Sequence, residues 1–489
     1  MAEPTIAAAY PGQRHDAEWR RLVYPPEYRN PSPKRRYHLI VIGAGPAGLV
    51  TAIAAAGLGA KVALIERQAM GGDCLNVGCV PSKALLEFSA SHAGQDGFNE
   101  AFEWLRAVRA GIAEHDSVER YSAAGVDVFL GAARFVDTTT VKVGDVELKA
   151  RRIVVASGAR AAMPPIPGLA DARPLTNESV FDLLQRPKRI AVIGAGPIGC
   201  ELSQAFSRMR IDVNLLDVAD RVLANESLEA SRIVTQALKQ SGVKLHLEAK
   251  IARVERRGPL VVLDTDKGEI LADEVLVAAG RRANTDDLNL AAVNVDTDES
   301  GQIIVDRFLR SSNPRIYAAG DVCSKQQFTH LADAHARIVV QNALFFPSAT
   351  KTKLIVPHCT YTDPEVASVG ESGQALAARS QAYDTYRIDY GDLDRGRAQG
   401  DSDGYVEVLT AQGQTKILGA TIVGRDAGEQ IAPLCFMMTR GLGIDAFAKT
   451  ILPYPTRAEY LRRLADTFNR GRLTPSTKRL FSMWFKWIR

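Results

Sequence analysis

The residues best suited to chemistry are two cysteines in Gly71-Gly-Asp-Cys74-Leu-Asn-Val-Gly-Cys79-Val-Pro-Ser-Lys83. A bridge between Cys74 and Cys79 closes so short a loop that loop entropy credits it with about 2 kcal/mol, near the low end for disulfides. Redox cycling is therefore a better reason for the pair than stability. Pro81 suits the first turn of a helix, where its missing N–H costs nothing. Cys79 then sits at the positive end of that helix, which stabilises a thiolate. Lys83 falls in the same turn, where the dipole disfavours a cation, so it calls for a local anion or a flavin nearby. Glu201 is the candidate anion. Two other readings stay open on these residues alone: a pair of buried free thiols, or half of a zinc site. No Cys-x-x-Cys exists elsewhere to complete such a site, so no metal ligands are assigned. Cys200, Cys323, Cys359 and Cys435 are scattered singly and read as core cysteines.

The elements that must position this chemistry occur as a repeat. The apolar run His38–Ile42 leads into Gly43-Ala-Gly45-Pro-Ala-Gly48, a small-residue helix Leu49–Leu58, and a strand Lys61–Ile65 ending at Glu66. The unit returns as Arg189–Ile193, Gly194-Ala-Gly196-Pro-Ile-Gly199, a helix, and Asp212–Leu216 ending at Asp217. In both copies the acid follows the first glycine by 23 residues. A lone G-x-G-x-x-G is a weak signal, but strand, helix and acid together predict a dinucleotide site. The first glycine makes the turn, the second lets a pyrophosphate approach the backbone, and the third packs helix on strand. The free N–H groups of the helix N-terminus then face the phosphates. Glu66 and Asp217 are expected to accept ribose hydroxyls. A carboxylate suits a free 2′-hydroxyl and repels a 2′-phosphate, so Asp217 favours NADH, with NADPH the alternative.

Beyond these units the chain divides by texture. Residues 1–36 are a proline-rich arm with a short helix near Asp16–Leu22. A first nucleotide-binding part spans 37–160, a second 161–283, and 284–355 returns to the first. An α+β segment without nucleotide signals covers 356–470, and 471–489 is a basic, aromatic tail. Arg134–Ala150 alternates like antiparallel strands. The chain has 489 residues, 46% hydrophobic and 24% charged, with a net charge of +4. So slight a balance excludes nucleic acid as the main partner. Six cysteines in this length exclude a disulfide-stapled secreted scaffold. No signal peptide or membrane span is evident, so the expected compartment is the cytoplasm.

Together, GGDCLNVGCVPSKALL, the second glycine turn with Glu201-Leu-Ser-Gln-Ala-Phe206, Ala279-Gly-Arg-Arg-Ala-Asn-Thr285, Ala319-Gly-Asp321 and His358–Gly370 resemble the FAD-dependent pyridine nucleotide–disulfide oxidoreductases. Dihydrolipoamide dehydrogenase, glutathione reductase and mercuric reductase belong to that family. The resemblance covers about residues 37–470. It implies an α/β fold: two Rossmann-like dinucleotide-binding domains plus a C-terminal α+β dimerisation domain, working as a homodimer. It implies FAD at Gly43, Gly45, Gly48, Glu66, Gly72 and Asp321, and NAD(P)H at Gly194, Gly196, Gly199, Asp217 and Gly280. Lys83 and Glu201 would pair beside the flavin. Cys79 would be the thiol next to the flavin, and Cys74 the one that exchanges with the acceptor.

The chain departs from the disulfide-reducing members at Leu452-Pro-Tyr454-Pro-Thr-Arg-Ala-Glu459. Those members carry a His-Pro base with Glu five residues on; here Tyr454 stands in the His position and Glu459 is kept. No histidine follows His358. With an unperturbed pKa of ~10 against ~6.5, tyrosine is a poor general base at neutral pH. Mercuric reductases resemble the chain in having Pro-Tyr there, and soft metal ions suit thiolates. Their C-terminal cysteine pair has no counterpart after Cys435. The expected function is thus electron transfer from NAD(P)H through FAD to Cys74–Cys79, and on to a metal ion or small acceptor. The alternatives are a dihydrolipoamide dehydrogenase-type enzyme, and a flavin-bound redox sensor with little turnover. In the tail, Leu480, Phe481, Trp484, Trp487 and Ile488 share one helical face among Lys478, Arg479 and Lys486. Packing on its own domain or on the dimer mate is the favoured reading, and peripheral contact with an anionic membrane the second.

Overall fold

The computed structural model describes residues 14–94 and 96–488 as an α/β chain in two compact units. The first unit holds residues up to Val218 together with Ser241–Lys353; the second holds Ala219–Gln240 and Leu354 onward. In the first unit, helix α1 (Arg14–Val23) precedes β1 (Tyr37–Ile42), α2 (Pro46–Gly57) and β2 (Val62–Glu66). Then come α3 (Gly72–Asn76), α4 (Cys79–Ser91), α5 (Phe98–Ala113), β3 (Val126–Leu130), β4 (Ala133–Asp137), β5 (Thr140–Val143) and β6 (Val146–Val155). The strands join in the order β3-β2-β1-β6-β5-β4, and Ile316–Ala318 pairs in parallel with β6. The long strand β6 serves two neighbours. Residues 150–155 run parallel to β1, while 146–149 pair antiparallel with β5. The apolar run of β1 is enclosed, with Leu39, Ile40 and Val41 fully buried, as a parallel strand between two others requires.

The second glycine unit builds a four-stranded parallel sheet, in the order Lys244–His246, Asp212–Leu216, Arg189–Ile193, Glu274–Val277. Three antiparallel strands over 251–272 are inserted in the chain between its strands Lys244–His246 and Glu274–Val277.

The second unit is a five-stranded antiparallel sheet around Val366, Val406, Ile422 and Tyr460. Residues 219–240 belong to it by compactness, although they interrupt the second nucleotide unit in sequence. Glu226 accepts from Ser368 Oγ at 3.0 Å and contacts His358 at 2.7 Å, and Ser227 shares a hydrogen bond with Tyr405 at 2.9 Å. The tail forms the helix Pro475–Trp487, and none of its residues is buried. The expected packing on its own domain is therefore not seen: nothing among the described residues covers its apolar side chains. Among the described residues, no helix is long and apolar enough to cross a membrane.

Candidate active site

The first and third glycines of each turn are demanded by the protein itself. Gly194 has φ +110°, and a Cβ there would meet the Ala278 carbonyl oxygen at 2.6 Å; one on Gly199 would meet the Gly194 oxygen at 1.8 Å. The middle glycine is different. A Cβ on Gly196 would meet nothing within 4 Å. Packing therefore explains two glycines of three, and the third leaves bare backbone in front of the helix Pro197–Arg208, as a pyrophosphate needs. In the first copy Gly45 is likewise open apart from Gly72, whose own Cβ would strike the Gly45 Cα at 2.5 Å. Gly72 thus joins Gly43, Gly45 and Gly48 in one cradle. The residues present fit two dinucleotides.

The acids at the strand ends do more than the sequence suggested. Glu66 accepts from the Ala44 and Gln68 backbone N–H groups, both at 2.7 Å, and Asp217 accepts from Ala195 N–H at 2.6 Å. Each acid pins the residue after the first glycine of its own turn. Burial raises the Glu66 pKa, and those N–H bonds oppose the rise.

The cysteines lie where α3 hands over to α4. Gly78 is the N-cap and Cys79 the first residue of the thirteen-residue α4. Both cysteines are free thiols, Cys79 exposed and Cys74 half-buried. The hydrogen bond from the Cys74 thiol, with help from Thr329 (3.6 Å from the Cys79 sulfur) and the Lys83 charge, draws Cys79 down to about 6. The same hydrogen bond and burial push Cys74 well above the ordinary thiol range. One thiol is thus a nucleophile at neutral pH and the other its proton-bearing partner. Lys83 donates to Glu201 Oε2 at 2.8 Å, and the Glu201 side chain is only 4% exposed. The expected pair is therefore formed, on α4 and the helix Pro197–Arg208.

Sequence reasoning missed a second ionic group. Arg281, next to Gly280, pairs with Asp73 and lies 3.7 Å from Asp321. Burial raises Asp321 to about 6, and Arg281 opposes the rise. Asp73 precedes Cys74 in the chain, so this group borders the redox loop. The motif Gly280-Arg-Arg was the available signal.

In the second unit Tyr454 and Glu459 take separate partners. The Tyr454 hydroxyl donates to Asp394 at 2.9 Å. Glu459 instead pairs with Arg463 at 2.7 Å, and its Oε2 is enclosed without a hydrogen-bond partner. The bond to Asp394 holds the Tyr454 phenol protonated above its usual range. Among the described residues, no cluster of three or more His, Cys, Asp or Glu could hold a metal ion.

Two Rossmann-type cradles, with a low-pKa thiol and its partner at one of them, define a flavin-dependent pyridine nucleotide oxidoreductase. Residues 37–336 match the family described as pyridine nucleotide-disulphide oxidoreductase, and residues 356–465 match its dimerisation domain. The chain belongs to this family, in class I, and is a flavoprotein oxidoreductase that uses FAD and NAD(P)H. The presence of that dimerisation domain supports a homodimer. It is similar to a mercuric reductase of Streptomyces lividans, 33% identical across 88% of this chain and 96% of that protein. A dihydrolipoyl dehydrogenase of Chlamydia trachomatis is 32% identical across 86% of this chain and 95% of that one. The HOCl-induced flavoprotein disulfide reductase RclA of Escherichia coli superposes with a TM-score of 0.82 at 25% identity, covering 88% of this chain and 99% of that one.

Proposed function

We propose that this enzyme takes electron pairs from NADH in preference to NADPH, and delivers them through Cys74 and Cys79 to a soft metal ion or small acceptor that needs no protein base. FAD supplies the two-electron chemistry between nicotinamide and sulfur. Gly43, Gly45, Gly48, Gly72, Glu66 and Asp321 hold it, and Gly194, Gly196, Gly199, Gly280 and Asp217 hold the nicotinamide nucleotide. Lys83 and Glu201 fix the charge beside Cys79, and Cys74 meets the acceptor.

The observation that carries this reading is Tyr454. A disulfide substrate leaves as a thiol that must be handed a proton, and a phenol tied to Asp394 with a raised pKa is poorly matched to shuttling it at neutral pH. A metal ion between two thiolates leaves with electrons alone: NADH + Hg²⁺ → NAD⁺ + Hg⁰ + H⁺. The test follows NADH and NADPH oxidation by the purified enzyme with Hg(II), Cu(II), lipoamide, glutathione disulfide and a quinone. Faster turnover with a metal ion than with either disulfide is expected. Lipoamide as the best acceptor, or no turnover with any, would overturn the reading.

The tail helix supports a peripheral contact with anionic lipid. Trp484, Phe485 and Trp487 are exposed, and Lys478, Arg479 and Lys486 add charge that suits such a surface. Full-length enzyme should co-sediment with anionic vesicles, and Trp484→Ser with Trp487→Ser should abolish this. Equal pelleting of both proteins refutes the contact.

A further inference from the structure

Helix α1 lies outside both nucleotide units, yet its side chains end on the redox loop. Trp19, 3% exposed, donates its indole N–H to Asn76 Oδ1 at 2.8 Å. Asn76 sits between the two cysteines. Its amide nitrogen is already spent on the carbonyls of Met70 (3.0 Å) and Gly72 (2.9 Å). The Asn76 backbone carbonyl accepts from Arg109 Nη1 at 3.2 Å, and the next carbonyl, that of Val77, from Asn177 at 3.3 Å. Arg109, on α5, is 2% exposed. Asp16 of α1 bonds it at 2.9 Å, Asp182 lies 3.4 Å away, and its guanidinium stands 4.4 Å above the Trp19 ring. The Val23 carbonyl at the end of α1 accepts from Met70 N–H at 3.0 Å, just before the Gly71-Gly72 turn.

A five-residue helix such as α3 has little stability of its own, and most of its carbonyls have no partner within it. Here α5 supplies the partner of the Asn76 carbonyl, and α1 holds the Asn76 side-chain amide oxygen. The loop also faces a strict demand: disulfide and dithiol differ in sulfur separation, and only a narrow range of Cα geometry accepts the bridge without strain.

We propose that α1 is a positioning element of the redox centre. Trp19, and Asp16 acting through Arg109, hold Asn76 and so set the relative placement of Cys74 and Cys79, and with it the balance between dithiol and disulfide. The inference rests on reading Cys74 and Cys79 as the redox pair.

The test uses the full-length holoenzyme. Trp19→Phe keeps the ring under Arg109 and removes only the N–H donor; Asp16→Asn removes the charge. The readouts are the dithiol–disulfide equilibrium constant against a reference dithiol, FAD content and melting temperature. Loss of one buried hydrogen bond predicts a change of about 3- to 10-fold in that constant for Trp19→Phe, with FAD content unchanged. Asp16→Asn should move it in the same direction and Asp16→Glu should restore it. If both variants only lower the melting temperature and leave the constant at the wild-type value, α1 is merely structural and the proposal fails. If Cys79→Ser leaves the reductive titration unaltered, the redox-pair reading itself has failed.

Discussion

Lys83 and Glu201 should push the Cys79 pKa in opposite directions, and both effects can be read in one optical titration. Cys79 is drawn to about 6 from an ordinary 9.0, so about 90% is thiolate at pH 7 and about 10% at pH 5. Without that shift the pH 7 figure would be about 1%. Lys83 lowers the Cys79 pKa and Glu201 raises it. Replacing Lys83 with Met should therefore raise the titration midpoint, by about one unit for a single neighbouring charge. At pH 6 the thiolate fraction then falls from about one half to about one tenth, a fivefold loss. Glu201→Gln should move the midpoint the other way. The assay is the long-wavelength thiolate–flavin absorption of the two-electron-reduced holoenzyme between pH 4.5 and 9. A wild-type midpoint near 9 would refute the account of Cys79 as a thiolate held by the Cys74 thiol, Thr329 and Lys83. So would shifts of the same sign in Lys83→Met and Glu201→Gln, since one charge of each sign cannot act alike.

Gly196→Ala should fold with unchanged melting temperature but bind NADH at least tenfold more weakly, measured by fluorescence titration; Gly199→Ala should not fold, because its Cβ would lie 1.8 Å from a carbonyl oxygen. Normal NADH affinity in Gly196→Ala would remove that turn from the nucleotide site. His335 is buried and accepts from Gly320 N–H at 3.3 Å. Burial, then Lys351, lowers its pKa from 6.5 to about 4. The unfolded chain therefore takes up the proton first, and stability present above pH 6.5 is lost as pH falls toward 4. The loss is about 3 kcal/mol, read by urea unfolding at each pH. His335→Gln should flatten that slope, and an unchanged slope would assign it to other groups.

The parts of the molecule legible in the sequence are those carried by local pattern. Strand, glycine turn, helix and acid recur within some thirty residues, so Gly43–Glu66 and Gly194–Asp217 announce themselves. Cys79 with Pro81 and Lys83 is likewise a single helical turn. The bond from Lys83 to Glu201 spans 118 positions, yet it was anticipated because a cation in a first turn calls for an anion. Other contacts leave no such local trace. Trp19 to Asn76 spans 57 residues, Tyr454 to Asp394 spans 60, and Arg109 to Asp16 spans 93. No periodicity encodes which buried indole meets which amide. The exposure of the tail was hidden for a related reason: an amphipathic pattern shows that a face wants cover and says nothing of what provides it.

The crossing of residues 219–240 into the second unit bears on how the chain is made. This segment leaves the ribosome well before its eventual neighbours His358, Ser368 and Tyr405 exist. Residues 241–353 must be synthesised first, which at about 5–20 residues per second takes roughly 6–23 s. Throughout that interval Glu226 and Ser227 wait for the hydrogen-bond partners that the C-terminal sheet gives them in the finished protein. The nucleotide-binding unit can close its sheets during translation, but the dimerisation unit cannot. Dimer formation, which depends on that unit, is thereby deferred until the whole catalytic frame has been built.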